Sequence, residues 1–308
     1  MERDDTTPHR IATDGMVNWQ EANASLNSLA DRQIFFVGGA PRSGTTWLQQ
    51  LLNAHPDVSC AGEGLFWRNL AVPLDSLVKE RCDGLHLKNT TLFGHTGGYP
   101  LPSAAFADHL LGTGILLSMQ QQGADRTYRA IGEKTPENVF LFPRLKRIFP
   151  RAKLIAIARE PRDVLASSWH IFHKPVAGEN EDAAKRAFIH MSLPSMAEGA
   201  RAMIRHAKEF PTDYAEVTYE ALRQDPRFEI RRLFRFLGVE STDDVVESCV
   251  RKVDFFKQTS GRQPGHVDLG SFFRSGISGS WPETLTAEMS ELILQHLGWV
   301  YPHFGWRI

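Results

Sequence analysis

Residues 35–58, FFVGGAPRSGTTWLQQLLNAHPDV, pass from a continuous apolar run through a Gly- and Pro-containing turn into apolar residues at helical spacing. A chain carrying this order must fold so that a buried strand feeds a helix across a tight loop, which excludes helical bundles and β-sandwiches. Gly39 and Gly44 bracket four residues, as in the phosphate-binding pattern GxxxxGK[ST], but Thr45 and Thr46 stand where that pattern has a lysine and a hydroxyl. Backbone N–H groups and the positive end of the helix dipole still converge on such a loop, so an anion site is expected there. With the lysine replaced and a cation moved back to Arg42, the loop suits a shorter anion held without a metal.

Two further apolar runs, residues 154–157 and 214–217, read as buried parallel strands, like residues 34–37. Helical sequence follows each strand: 46–53 after the first, 161–168 after the second with Pro161 in its first turn, and 227–237 after the third, stopping at Gly238. Repeated strand-then-helix units predict an α/β fold, a P-loop-type three-layer sandwich with a central, mainly parallel sheet flanked by helices. Residues 84–103 and 173–182, rich in Gly, Pro and His, read as loops over the active-site face. Residues 1–30 read as a polar extension with weak periodicity, and residues 31–308 as one domain.

The 35 basic and 36 acidic side chains nearly cancel, so no long polyanion such as a nucleic acid is expected as a partner, and any anion site must be local. Three widely spaced cysteines without a CxxC pair argue against a disulfide framework or a structural zinc and for a reducing compartment. The N-terminus lacks the apolar core of a signal peptide, and no run approaches the roughly 18 apolar residues of a membrane span. A cytoplasmic protein is expected.

The segment PRSGTTWL, residues 41–48, resembles the 5'-phosphosulfate loop of sulfotransferases that use 3'-phosphoadenosine-5'-phosphosulfate (PAPS). The resemblance implies that Arg42, Ser43, Gly44, Thr45 and Thr46 hold the donor's 5' end and that Trp47 stacks on adenine, unless Trp47 is a core residue. AREPRDVLASSW, residues 158–169, is similar to the family's 3'-phosphate site, with Arg159 and Ser167 at the matching positions eight residues apart. Guanidinium and hydroxyl groups suit a phosphate; taken alone, the same segment would read as surface pairs Arg159–Glu160 and Arg162–Asp163. FRSGISGSW, residues 273–281, resembles the family's RKGxxGDW element, implying donor contacts from Arg274, Ser275 and Gly276. Ser275 replaces the family's lysine there, and Ser280 its aspartate. Tyr219, in a stretch similar to YEDL, would reach the adenine or serve as a buried strand-end residue.

Transfer of SO3 from PAPS to an acceptor oxygen or nitrogen leaves charge on a phosphate, which cations must stabilise. Arg42 is one; Lys134, in GEKTPE, matches the family's second. The histidine base of cytosolic members falls at Pro136 here. AHPDVSC, residues 54–60, instead resembles tyrosylprotein sulfotransferases, which implies Glu63 as general base, with His170 as the rival. Leu65 replaces the arginine of that branch, and Phe66, Trp67, Phe93, Tyr99 and Phe106 are candidates for an apolar acceptor pocket. The resemblance thus implies a small-molecule acceptor and no metal, and leaves a homodimer open. The competing readings are a P-loop kinase and a non-catalytic PAPS-binding module.

Overall fold

The computed structural model describes residues 18–94, 97–122, 127–174, 176, 178–253 and 278–308. Five strands form one parallel sheet in the order β2-β3-β1-β4-β5: β1 Gln33–Gly39, β2 Val58–Ala61, β3 Ala130–Lys134, β4 Lys153–Ala158 and β5 Tyr214–Thr218. Side chains alternate between the two faces, as the strand period requires. Ile34, Phe36, Leu154 and Ala156 enter one core with α4 (Ala104–Gln122), α5 (Asn138–Ile148) and α7 (Glu181–Glu209). Phe35, Val37, Ile155 and Ile157 enter the other with α2 (Thr45–Asn53), α8 (Tyr219–Gln224) and α9 (Pro226–Leu237). The expected three-layer sandwich is therefore present.

The three strands and three helices read from the sequence are all found. The helix ending at Gly238 stops there because that glycine takes φ 70°, the left-handed cap. Two strands carried no continuous apolar run: β2 is only four residues long, and β3, AIGEK, ends in two charged residues that are nonetheless buried.

Two expectations need correction. Residues 84–93 are not loop: α3 runs Val72–Lys88 and a π-helical turn continues over Asn89–Phe93, leaving 97–103 irregular. Residues 19–30, taken as part of a polar extension, form α1 (Trp19–Ala30), capped by Asn18 and anchored by buried Leu26 and Leu29.

Parallel pairing brings the carboxyl ends of all five strands to one edge. Val37 lies opposite Lys134, and Gly39 opposite Ile157, so the loops leaving β1, β3 and β4 start level with one another. In open sheets of this kind, ligands bind outside those carboxyl ends.

Away from that edge, His206 on α7 is fully buried, with Nε2 2.9 Å from the Val139 carbonyl, and burial lowers its proton affinity. A histidine depressed in the folded state contributes stability that is present above its unfolded pKa and lost as pH falls. Urea unfolding should therefore show stability declining as pH drops below about 6.5, with His206→Gln flattening that part of the curve.

Candidate active site

The loop after β1 is built by two left-handed residues. Arg42 takes φ 69° and Gly44, the N-cap of α2, φ 97°. A non-glycine residue in this region costs about 1–3 kcal/mol and persists only where its surroundings hold it. Here the Arg42 carbonyl accepts a bond from the Arg159 guanidinium at 3.3 Å, while the Ser43 N–H donates to the Ala40 carbonyl at 3.1 Å. Ser43 is fully buried and its hydroxyl donates to the Ala40 and Ile157 carbonyls, at 2.6 and 3.2 Å. It fastens the loop to β4, with its N–H and its hydroxyl both bonded within the protein. A Cβ on Gly44 would lie 2.6 Å from the Tyr219 ring. No side chain caps α2, whereas Glu160, Asn180, Thr218 and Asp225 cap α6 (Pro161–Phe172), α7, α8 and α9. The dipole end of α2 thus faces the loop without a protein acceptor at its cap position.

The second junction, β4 to α6, meets the first directly. Arg42 Nε donates to Ser167 Oγ at 3.3 Å. The Arg159 guanidinium lies 4.4 Å over the Tyr219 ring, with an amino nitrogen 3.6 Å from the Asp163 carboxylate. Tyr219 also meets Trp47 edge-on, centroids 5.7 Å apart. Buried Tyr219 is thus the common surface on which Gly44, Trp47 and Arg159 rest. Trp47 is half-buried at the rim of the α2 core and keeps part of its ring accessible.

The charged residues that the segment taken alone would place in surface pairs have buried side chains and are paired otherwise. Arg162 bonds Glu160 at 2.8 Å and stacks 4.5 Å over Trp281. Asp163, fully enclosed, accepts the backbone N–H groups of Gly279 and Trp281 at 2.7 and 3.1 Å. Arg274, Ser275 and Gly276 lie outside the described residues.

The third junction carries the cation that the loop lacks. Lys134, at the end of β3, is 3% exposed, and its Nζ donates to Glu63 Oε1 at 2.7 Å and to Thr46 Oγ1 at 3.3 Å. Thr45, in the place of the missing lysine, is itself buried. The Glu63 side chain is about half exposed (47%). Glu63 is delivered by the 54–60 run. There His55 binds the Glu240 carbonyl at 2.9 Å and accepts the Asp57 N–H, and Asn53 accepts the Cys60 N–H at 2.9 Å. His170, the rival base, faces Thr284 Oγ1 at 3.0 Å from the last turn of α6, outside this cluster.

Sequence reasoning missed Glu133. It is fully buried beside Lys134 and accepts hydrogen bonds from the Gly64 N–H, Thr135 and Asn138. An acidic residue immediately before the candidate lysine, at a strand end, was the available signal.

A cavity of about 410 Å³ opens behind the loop. Gly39, Ala40 and Pro41 form one wall, Val164, Met196 and Met203 much of the apolar interior, and Trp67 with the Arg68–Glu137 pair the polar side. Of the aromatic candidates, Phe66 belongs to the core; Phe93, Tyr99 and Phe106 lie on the outer surface, and Trp67 lines this cavity.

Parallel strands ending at one edge, a glycine loop with left-handed residues and Arg42, Arg159 and Lys134 at its neighbouring junctions define an α/β protein of the P-loop-like kind. The profile of the Sulfotransferase family matches residues 34–244, and the chain belongs to that family. It is 28% identical over 225 residues to a Caenorhabditis briggsae protein assigned as a protein-tyrosine sulfotransferase, covering 70% of this chain and 68% of that one. Cytosolic sulfotransferase 10 of Arabidopsis thaliana is 27% identical over 161 residues, and the chain spans about half of its length, 47%. The fold is shared with mouse sulfotransferase SULT7A1 complexed with PAP, at TM-score 0.54 and 15% identity over 92% of this chain and 90% of that one.

Replacing Gly44 by alanine forces a Cβ into Tyr219 at a positive φ that L side chains resist. Gly44→Ala should weaken binding of 3'-phosphoadenosine-5'-phosphate (PAP) by about tenfold or more, while circular dichroism stays that of the parent. Calorimetric titration with PAP checks this.

Proposed function

We propose that the chain transfers a sulfuryl group from PAPS to a small-molecule hydroxyl or amine. The observation that carries this reading is the convergence of three separate junctions: Arg42 touches Ser167 at 3.3 Å, and Lys134 reaches Thr46 at 3.3 Å. An adenosine with anions at both its 5' and 3' ends is the kind of ligand that needs two adjoining strand-to-helix cradles. The neighbour complexed with PAP supports the same donor. Arg42, Ser43, Gly44, Thr45 and Thr46 would hold the 5' end, Arg159 and Ser167 the 3'-phosphate, and Trp47 with Tyr219 the base. Arg274, Ser275 and Gly276 complete the proposed donor set.

In the transfer step the acceptor oxygen forms a bond to sulfur as the sulfur–oxygen bond to the donor phosphate breaks. Glu63 accepts the acceptor's proton, and the electron pair of the broken bond stays on the phosphate. Arg42 and Lys134 stabilise that charge. Lys134, bonded to Glu63 before reaction, is placed to shift its donor to the leaving oxygen, leaving the carboxylate to take the proton. The loop itself carries Thr45 where a triphosphate-binding loop has its lysine, which favours a shorter donor anion held without magnesium. A cytosolic address is part of this reading, supported by the name of the Arabidopsis relative. No helix among the described residues is long and apolar enough to cross a membrane.

Incubation with radiolabelled PAPS and a library of phenols, alcohols and amines should give labelled product that survives EDTA. Glu63→Gln should cut turnover by roughly 100-fold or more with PAP affinity retained. PAP binding without transfer to any acceptor would instead leave a binding module, and near-parental turnover of the variant would remove Glu63 from the chemistry.

The 410 Å³ cavity gives the acceptor's apolar body a place, since it shares the Gly39–Pro41 wall with the donor loop. Gly199 lines it, and a Cβ there would meet only the Phe140 ring, at 3.7 Å. Gly199→Leu should therefore project into the cavity and raise the acceptor KM about tenfold, with PAP affinity within a factor of two. Steady-state kinetics on the best library acceptor decide it, and an unchanged KM places the acceptor elsewhere.

A further inference from the structure

Glu133 is a carboxylate with no exposed surface, and two of its hydrogen-bond donors, Gly64 and Thr135, directly adjoin the proposed catalytic pair. Its Oε1 accepts the Gly64 N–H at 2.7 Å and the Thr135 hydroxyl at 2.5 Å; its Oε2 accepts Asn138 Nδ2 at 2.7 Å. The Thr135 hydroxyl in turn accepts the Leu65 N–H at 3.2 Å, and Asn138 Nδ2 also donates to the Val37 carbonyl at 3.1 Å. Gly64 follows Glu63 directly, and Lys134 follows Glu133 directly. Leu65 takes φ 52°, a left-handed conformation that a leucine does not hold unaided.

We propose that Glu133 is a positioning residue for the transfer step: with Thr135 it ties the 63–65 turn to the end of β3, so that Glu63 meets the Lys134 ammonium. This rests on the reading in which Glu63 and Lys134 act in sulfuryl transfer. The geometry explains why a charge is buried here at all. An ionised carboxylate accepts only, and the site offers it three donors from three chain segments, the exits of β2 and β3 and the start of α5. Through Asn138 the same network reaches β1 two residues before the donor loop opens. An apolar side chain would fill the space but leave the Gly64 N–H and the Thr135 hydroxyl without this acceptor. An amide would oppose one of them, or Asn138, with a second donor. Burial does raise the proton affinity of Glu133, and the three donors and the neighbouring ammonium act against that rise.

The test uses the full chain with Glu133→Gln, Thr135→Val and Thr135→Ser. Amide exchange at Gly64 and Leu65, read by mass spectrometry on the peptide that contains them, should quicken about tenfold or more in the first two variants and return towards the parental rate in Thr135→Ser. On the library acceptor, kcat should fall about 10- to 100-fold in the first two with PAP affinity within threefold, and Thr135→Ser should recover most of it. A network that only stabilises the fold would lower Tm in all variants without this split between kcat and PAP affinity and without rescue by serine. Unchanged exchange at Gly64 and Leu65, or parental kcat in Glu133→Gln and Thr135→Val, overturns the proposal. If Glu133→Gln does not fold, Thr135→Val alone decides, since it keeps the side-chain volume. A parental chain that binds PAP and transfers nothing sinks the functional reading as well. A parental chain that turns over normally beside an unaffected Thr135→Val sinks only the positioning role.

Discussion

The interaction on which the site depends is the buried ammonium of Lys134. Placing a lysine at 3% exposure costs several kcal/mol unless a counter-charge and further acceptors meet it. Glu63 at 2.7 Å and the Thr46 hydroxyl at 3.3 Å are those partners. The glycine loop has therefore not discarded its cation. The charge sits on the neighbouring strand, level with Val37, and approaches the α2 terminus from the side rather than from within the loop. Thr45 can then be buried at the loop's base. A single pair thus links donor cradle, cation and candidate base.

Packing around Tyr219 makes the β1–α2 and β4–α6 junctions one object. Gly44 has no room for a side chain because the ring lies against it, Arg159 lies over the same ring, and Trp47 meets it edge-on. Arg159 in turn supports the Arg42 carbonyl, and Arg42 reaches Ser167. A change in any of these residues is felt by the others, so losses on mutation within this group are not expected to add. The Asp163 carboxylate extends the group to the chain's C-terminal part by accepting the Gly279 and Trp281 N–H groups.

The parts of this architecture that obey simple burial rules could be read from sequence. Residues 34–37 and 154–157 are uninterrupted apolar runs because those strands are covered on both faces. The glycines at 39 and 44 announce backbone that only a tight loop needs. What the pattern hid is what departs from those rules. β3 carries Glu133 and Lys134 at 0% and 3% exposure, so its charged end disguises a central strand beside β1 as a surface segment. Arg162 and Asp163 read as a solvated pair because sequence adjacency says nothing of the Trp281 ring and backbone donors that bury them. Polar α3, without a buried residue, was concealed for the opposite reason: it has no apolar stripe to detect.

These departures gather at one place. Left-handed Arg42 and Leu65, buried Glu133 and Lys134, and enclosed Asp163 all lie at or beside the carboxyl edge of the sheet. Each is unfavourable alone. Four are held from another strand exit, Arg42 by Arg159, Leu65 by Thr135, Glu133 by Gly64 and Lys134 by Glu63, and Asp163 by the Gly279 and Trp281 N–H groups. Mutual support of this kind makes the edge one connected network rather than a set of separate contacts. It also sets a direction for coupling. In the proposed transfer, an anion that took over the Lys134 donor would leave Glu63 with one bond fewer, while the Gly64–Glu133 bond would keep the adjoining turn in place.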